Sequence, residues 1–388
     1  MTTGKMKRVL CVVMAMIFAA ALVTAASAEG GHEEAKKAAL GYLKAAVKEN
    51  CPIRTYETDD PLIASASYTY ESAIAALALM SEGETEDAAK ILDAMVTGMA
   101  GDNEKFRDRF RNAHMVGSAA DLPGYWNSEK EQWLQDAYQV GTSTKSSAAA
   151  AVALLTYNAA NPNSKYVDTA AAGMDWILAN CKDGNPGFTS GYTGWYGESF
   201  TTLTYKTTED NLWLAAACRL LAKATGWNSY SEAEASALQF VKESMFSSGD
   251  TRYFQGTKED GVTPAASLIQ TGVQALAELC LDDDAGMDNI EKCRAADGGY
   301  SYDNAVTDGS LLEDTAKAAL ALKLIGETEK AEEVLAMMEG LQLPSGTFPQ
   351  ASIPELKTGE KDMVFRDWPS VGVCAWFILA ANGTNPLR

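Results

Sequence analysis

Two tandem acid pairs, Glu209-Asp210 and Glu313-Asp314, each stand at the head of an alanine-rich apolar run. Adjacent carboxylates repel one another. Repulsion and burial both raise a carboxyl pKa, whereas the dipole at the start of a helix lowers it. One carboxyl kept protonated near another kept ionised is what hydrolysis of a glycosidic bond requires: the first protonates the leaving oxygen, the second serves as base or nucleophile. Leu311 and Leu312 in front of Glu313 point to a dry setting that suits a general acid. Thr207, Thr208 and Asn211 around Glu209 suit a carboxylate that stays ionised as the base. Asp210 and Asp314 are then expected to bind sugar hydroxyls or to tune the pair, and Glu71 and Asp136 are further candidate acids. The plainer reading is that Asp and Glu are favoured in the first turn of any helix.

Aromatic residues crowd the segments between the apolar runs: Trp126, Trp133, Tyr138, Phe188, Tyr192, Trp195, Tyr196, Phe200, Tyr205, Tyr253, Phe254, Tyr300, Tyr302 and Trp368. Flat apolar rings with polar edges suit the faces of sugars, and equally suit packing of loops onto a rim. In the stretch from Gly191 to Gly197, glycines surround Tyr192, Trp195 and Tyr196, an arrangement better suited to a ligand platform than to a core. These three are expected to line the mouth of a cleft, with Tyr205 and Trp368 as further contacts.

The elements that must position these residues are helices of two kinds. The spacing predicts amphipathic helices, charged on one side, at 33-50, 85-99, 165-181, 231-246, 288-296 and 328-342. It predicts alanine-rich helices, apolar almost all round, at 71-80, 145-160, 209-226, 266-280, 312-326 and 370-383. A helix apolar on every side must be surrounded by protein. The two kinds alternate strictly, a repeat of roughly 45 to 75 residues. Six buried helices fit if they form an inner ring inside six amphipathic ones, an all-α (α/α)6 toroid. Short links follow each buried helix, and longer connections such as 51-70, 100-144, 182-208, 247-265 and 343-369 lead back to the next. This alternation places every long loop on one face, at the N-termini of the inner helices, where function is expected.

The segments Thr69-Tyr70-Glu71-Ser72-Ala73, Thr207-Thr208-Glu209-Asp210-Asn211-Leu212, Leu312-Glu313-Asp314-Thr315-Ala316 and Val373-Cys374-Ala375-Trp376 followed by Asn385-Pro386 resemble the inner-helix starts of secreted six-hairpin proteins of the six-hairpin glycosidase-like superfamily. The similarity runs from about residue 60 to the C-terminus. It implies the toroid fold and a carbohydrate substrate. Those relatives typically read T-E-H-N and E-G-T-A, with a histidine before the last inner helix. Asp210, Asp314 and Ser370 stand at the corresponding positions, so the resemblance carries no catalytic assignment.

The remaining features bound the setting. Lys5, Lys7 and Arg8, the apolar run Val9 to Val23 and Ala26-Ser27-Ala28 read as a signal peptide over 1-28, leaving one domain over 29-388 that is secreted or extracytoplasmic. The apolar run is also long enough for an uncleaved anchor. Loss of the three leader cations takes the formal net charge from -20 to -23. Such a chain repels phosphate backbones, and no basic stripe for nucleic acid is present. Six cysteines follow the leader, with Cys280 and Cys293 flanking an acidic loop as the best-placed disulfide pair. Neither a metal-ligand spacing nor a phosphate-binding glycine loop occurs, so no cofactor is expected. The run Asp282-Asp283-Asp284 with Asp288 is a weak calcium pattern, and Asn382-Gly383-Thr384 a sequon usable only if exposed. The expected function is a hydrolase-like action on an oligo- or polysaccharide. The alternatives are a toroid that binds glycan or envelope components without cutting them and, less suited to an acidic rim, a polysaccharide lyase.

Overall fold

The structure, a computed structural model, describes residues 32–48, 51–102, 108–195 and 199–388, without the side chains of Trp195 and Ser199. The proposed signal peptide lies outside the described residues. Among the described residues no helix is long and apolar enough to cross a membrane.

In chain order the helices are α1 (Glu33–Ala46), the single turn α2 (Pro61–Ala64), α3 (Thr69–Ser81), α4 (Thr85–Gly101), α5 (Thr144–Ala160), α6 (Ser164–Asn180), α7 (Thr208–Thr225) and α8 (Asn228–Gln239). They continue with α9 (Thr271–Leu281), α10 (Leu312–Leu324), α11 (Thr328–Glu339) and α12 (Val371–Asn382). The helix α8 runs on into a π-helical turn (Phe240–Ser244), and a 3-10 helix (Asp284–Cys293) follows α9. Helices α3, α5, α7, α9, α10 and α12 pack each on the next, and α12 packs back on α3, so the inner ring closes. Outside them lie α4, α6, α8, the 3-10 helix and α11, each against the inner helix preceding it. The N-terminal α1 covers α12 and completes the outer ring. The result is the (α/α)6 toroid.

The inner helices are buried because both flanks and the inner face are covered. From Val371 to Ala380 every residue of α12 is inaccessible, as are Ala148 to Leu154 of α5. Alanine dominates these runs since six helices converging on one axis need small flanks. Three large rings, Tyr70, Trp213 and Trp376, fill the middle. Tyr70 and Trp213 meet edge to face at 5.7 Å and Trp213 and Trp376 at 6.4 Å, closing the axis beneath the inner-helix N-termini.

The long loops stitch these N-termini into a rim. Thr69, Thr144, Thr208 and Thr271 open α3, α5, α7 and α9. Their hydroxyls donate to the carbonyls of Arg111, Thr189, Phe254 and Ser301 at 2.5–2.6 Å. Their amides donate to the next carbonyls along, Asn112, Ser190, Gln255 and Tyr302, while Leu312 and Val371 donate to Gln350 and Thr55. Each inner helix is thus pinned to the following long loop, and the last is pinned to the first loop. This satisfies donors that a helix start leaves without an internal partner.

Expected and observed elements differ at three places. The loops contain short antiparallel strand pairs that the helical periodicity did not announce. Among them are β1 (Ala66–Tyr68) with β2 (Ala113–Met115), and β3 (Tyr125–Asn127) with β4 (Gln132–Leu134). A three-stranded sheet is formed by β5 (Thr142–Ser143), β6 (Gly191–Trp195) and β7 (Ser199–Leu203). The fourth inner helix begins at Thr271, not at 266. Arg252 takes the carbonyls of Ala266 and Leu268 outside any helix, and Gln270 bridges to Asp303. The amphipathic segment 288-296 is the 3-10 helix Asp284–Cys293. There Asp283 caps the start through the Ala285 amide and takes the Tyr253 hydroxyl, so the acidic run serves as structure. The Cys280 and Cys293 thiols are free and donate separately to the carbonyls of Leu212 and Ile269. They are not a disulfide. Asn382 is held by Glu82, Ser81 and Lys36, which leaves the sequon no free amide.

Two glycines test the rim. Gly191 has φ +111°, and a Cβ there would lie 2.2 Å from the Thr142 carbonyl of the neighbouring strand. Gly41, exposed in α1, has open space around it. Gly191→Ala is expected to lower unfolding stability by about 1–3 kcal/mol, whereas Gly41→Ala raises it by about 1 kcal/mol. Denaturant melts of both variants check the pair.

Candidate active site

The helical pitch sorts the first turn of each inner helix into two sets. The second residue of each, Tyr70, Lys145, Glu209, Gly272, Glu313 or Gly372, faces the axis, Tyr70 as part of the aromatic floor and the others above it. Five of these line one central cavity of about 150 Å³, together with Glu71, Asp314, Lys317, Tyr56, Tyr302, Gln270, Gln350 and Phe365. Gly372 adjoins them: a Cβ on it would meet Glu71 Cγ at 3.1 Å and Glu313 Oε2 at 3.5 Å. Successive helical residues point about 100° apart, which separates Glu209 from Asp210, whereas Glu313 and Asp314 both line the cavity and share Lys317. Glu209 and Glu313 enter the cavity. Asp210 turns behind it, accepting from the Ser190 and Thr207 hydroxyls and the Lys145 amide.

Two lysines that sequence reasoning passed over hold the charges. Lys317, buried on the third residue after Asp314, lies 2.7 Å from Glu313 Oε1, 3.1 Å from Asp314 Oδ1 and 3.7 Å from Glu209 Oε1. Lys145 lies 3.4 Å from Glu209 Oε2 and sits 4.4 Å over the Tyr70 ring. Burial pushes both ammoniums down, but Glu209 with Tyr70 and Tyr138 at Lys145, and Glu313 with Tyr70, Asp314 and Glu209 at Lys317, outweigh it and hold both well above the usual lysine value. The Glu313 side chain also accepts from Tyr70 Oη at 2.9 Å, and Tyr70 in turn accepts from Trp376 Nε1. A cation inside an alanine run, with acids three and four residues before it, was the available signal for Lys317.

The carboxyls differ in character. Burial raises Glu209, but the Lys145 and Lys317 ammoniums prevail and hold it below the usual glutamate value. Glu71, on the third residue of α3, accepts from Tyr56 Oη at 2.9 Å, and among the described residues no ammonium or guanidinium forms an ion pair with it. Burial, then the charge of Glu313, pushes it up to about 7. Burial also raises Asp210 and Asp314. Glu313 is largely covered, with Leu311 beside it in the cavity wall, but it is not left without partners. Leu312 packs into the core and the carboxylate turns to a lysine and a tyrosine.

The other expected contacts are scattered. Asp136 lies away from the cavity and accepts from the Gln139 amide within its own turn. Tyr192 packs edge to face on Trp176 of α6 at 5.4 Å and donates to the Asn180 carbonyl, so it faces the outer ring. Tyr196 lies outside the described residues, and of Trp195 only the backbone, paired with Ser199 at the end of the hairpin, is described. Trp368 borders a neighbouring open depression with Arg54 and Asp59. Tyr205 is half-buried on the rim, pushed up to about 12 by burial and Asp210. Of the loop aromatics, Phe188, Tyr253 and Tyr300 are core residues, whereas Tyr302 lines the cavity.

No family model matches the chain, and no curated protein matches it by sequence. Its fold is similar to that of a glycosidase variant in complex with glucose, with TM-score 0.65 and 13% identity over 92% of this chain and 97% of that one. It is also similar to a novel alpha-amylase from Clostridium perfringens, with TM-score 0.63 and 12% identity over 90% and 97%. A GH76 alpha-mannanase from Bacteroides thetaiotaomicron matches with TM-score 0.60 and 12% identity over 90% and 95%. At such identity the likeness is one of fold.

Proposed function

We propose that this chain is a glycoside hydrolase acting outside the cytoplasm, with its reaction centre in the cavity at the inner-helix N-termini. The observation that carries the reading is the contrast between Glu71, pushed up to about 7, and Glu209, held ionised by two lysines within one cavity. Two carboxyls whose surroundings push them apart are the pattern of acid and base. Glu71 protonates the glycosidic oxygen as it leaves. Glu209 takes a proton from the attacking water, or attacks the sugar itself. Glu313 and Asp314, tied to Lys317, are placed to take hydroxyls of the bound ring, and Tyr70 supports Glu313. The resemblance of the chain to six-hairpin glycosidase-like proteins and the glycosidase folds it shares supply the carbohydrate class. Glu313 as general acid gives way to Glu71 in this reading, since Glu313 already holds a cation and a hydroxyl.

One observation favours a second reading. Lys317 bridges Glu209, Glu313 and Asp314 as a closed knot, and a toroid that binds glycan without cutting it would keep such a knot. Incubation with glucan, mannan and amino-sugar oligomers separates the two by the appearance of new reducing ends. Binding with no new ends at any pH between 4 and 8 would leave the hydrolase reading without support.

A further inference from the structure

We infer that the cavity accepts a single sugar ring at a chain terminus, so that the protein removes one residue at a time and does not cut within a chain. This rests on the hydrolase reading and deepens it.

The first ground is size. The cavity measures about 150 Å³, against roughly 300–1,000 Å³ for pockets that take drug-sized ligands and about 150 Å³ for an engineered cavity that holds one benzene ring. A hexose has twice the heavy atoms of benzene, so the cavity has room for one sugar ring at most and not for three in a row.

The second ground is the wall. A site that cuts inside a chain must be open at two ends, and this one is fenced along the side of α9, α10 and α12. Gln270 Nε2 donates to Tyr302 Oη at 2.8 Å and to Gln255 Oε1 at 3.1 Å, and Gln255 Nε2 donates to Glu360 at 2.7 Å. The Tyr302 ring meets Phe365 at 5.4 Å. Three successive long loops are thereby joined edge to edge above the cavity. Gln350 extends the line to Tyr56, which already holds Glu71.

The third ground is the floor. Tyr70, Trp213 and Trp376 seal the axis, so no chain passes through the toroid. Gly272 and Gly372 let the acids close in over that floor: a Cβ on Gly272 would lie 2.5 Å from Asp314 Oδ1, and one on Gly372 3.1 Å from Glu71 Cγ. They flank Glu313 on the neighbouring inner helices, and neither carries a side chain where its counterparts carry lysine, glutamate or tyrosine.

The test uses the whole secreted chain with gluco-, manno- and glucosamine-oligomers of two to six units, fluorescently tagged at the reducing end. The first products of the hexamer identify the mode. A pentamer or a tagged monomer, appearing before any dimer, trimer or tetramer, is expected. Early fragments of two to four units overturn the inference while leaving hydrolysis intact. If no oligomer is cut, the hydrolase reading fails and stepwise removal with it, and only the single-ring fit of the cavity is then tested, by binding. Calorimetric titration with free glucose, mannose or glucosamine should then give an affinity within about tenfold of the matching tetramer. A gain of a hundredfold or more with length would show a groove.

Discussion

Replacing Glu71 or Glu209 by glutamine lowers kcat/KM on the true glycan by about 10²–10⁴-fold, the range typical of a lost general acid or base. Binding survives, because glutamine keeps the shape and the Tyr56 hydroxyl can still donate to the amide oxygen at position 71. The pH profile separates the two roles. A proton donor with a pKa of about 7 must be protonated to act, so wild-type kcat/KM falls about tenfold per pH unit above 7. Glu209 must be ionised and titrates below the usual 4.5, so the acid limb lies below that value. Stability runs in the same direction at Glu71. Its folded pKa exceeds its unfolded one, so its contribution is full below about 4.5 and is lost as pH rises through 7. Glu71→Gln is therefore expected to be at least as stable as wild type at pH 8 while remaining inactive. An active Glu71→Gln enzyme with the same alkaline limb removes Glu71 from the mechanism.

Lys317→Met produces the largest loss of stability expected of any single change at the site, about 3–5 kcal/mol at neutral pH, the cost of stripping the partner from buried charge. Three carboxylates converge on this ammonium, which is 3% exposed, and methionine fills the volume without the charge. The loss should shrink as pH falls, because protonation relieves the mutual repulsion of Glu209, Glu313 and Asp314. In the wild type the lysine's raised pKa gives stability that is full below 10.5 and is lost as pH rises through the higher folded value. Urea melts at pH 4.5 and 7.5 decide the matter. An equal deficit at both would mean that lost packing, and not uncompensated charge, sets the cost. Lys317→Arg keeps the charge but needs a wider space, so it distinguishes charge from fit.

Much of this architecture was legible in the residues. Helix periodicity, the alternation of Ala-rich with charged runs, and the alternation of short with long links imply a two-layered helical ring with its long loops at one end. These signals are local or follow from burial: a run such as Val371 to Ala380, apolar on every side, has nowhere to be but inside. The acids at the inner-helix starts were visible for the same reason, since their position in the first turn is a property of sequence. What the sequence alone did not carry was which neighbours each acid meets. Glu209 and Lys317 lie 108 residues apart, and Glu71 and Gly372 more than 300, and only closure of the ring puts them in one cavity. The pKa order depends on those meetings, because a Coulomb interaction falls with distance in space and is indifferent to distance along the chain. So Glu313 meets a lysine one turn on and a tyrosine from another helix, and Glu71, one of several candidate acids in the sequence, is the cavity carboxyl with no paired cation among the described residues. The aromatics divided by the same logic. Composition puts rings in the loops, but only tertiary packing decides that Tyr192 turns to the outer helix while Tyr302 and Phe365 close the cavity.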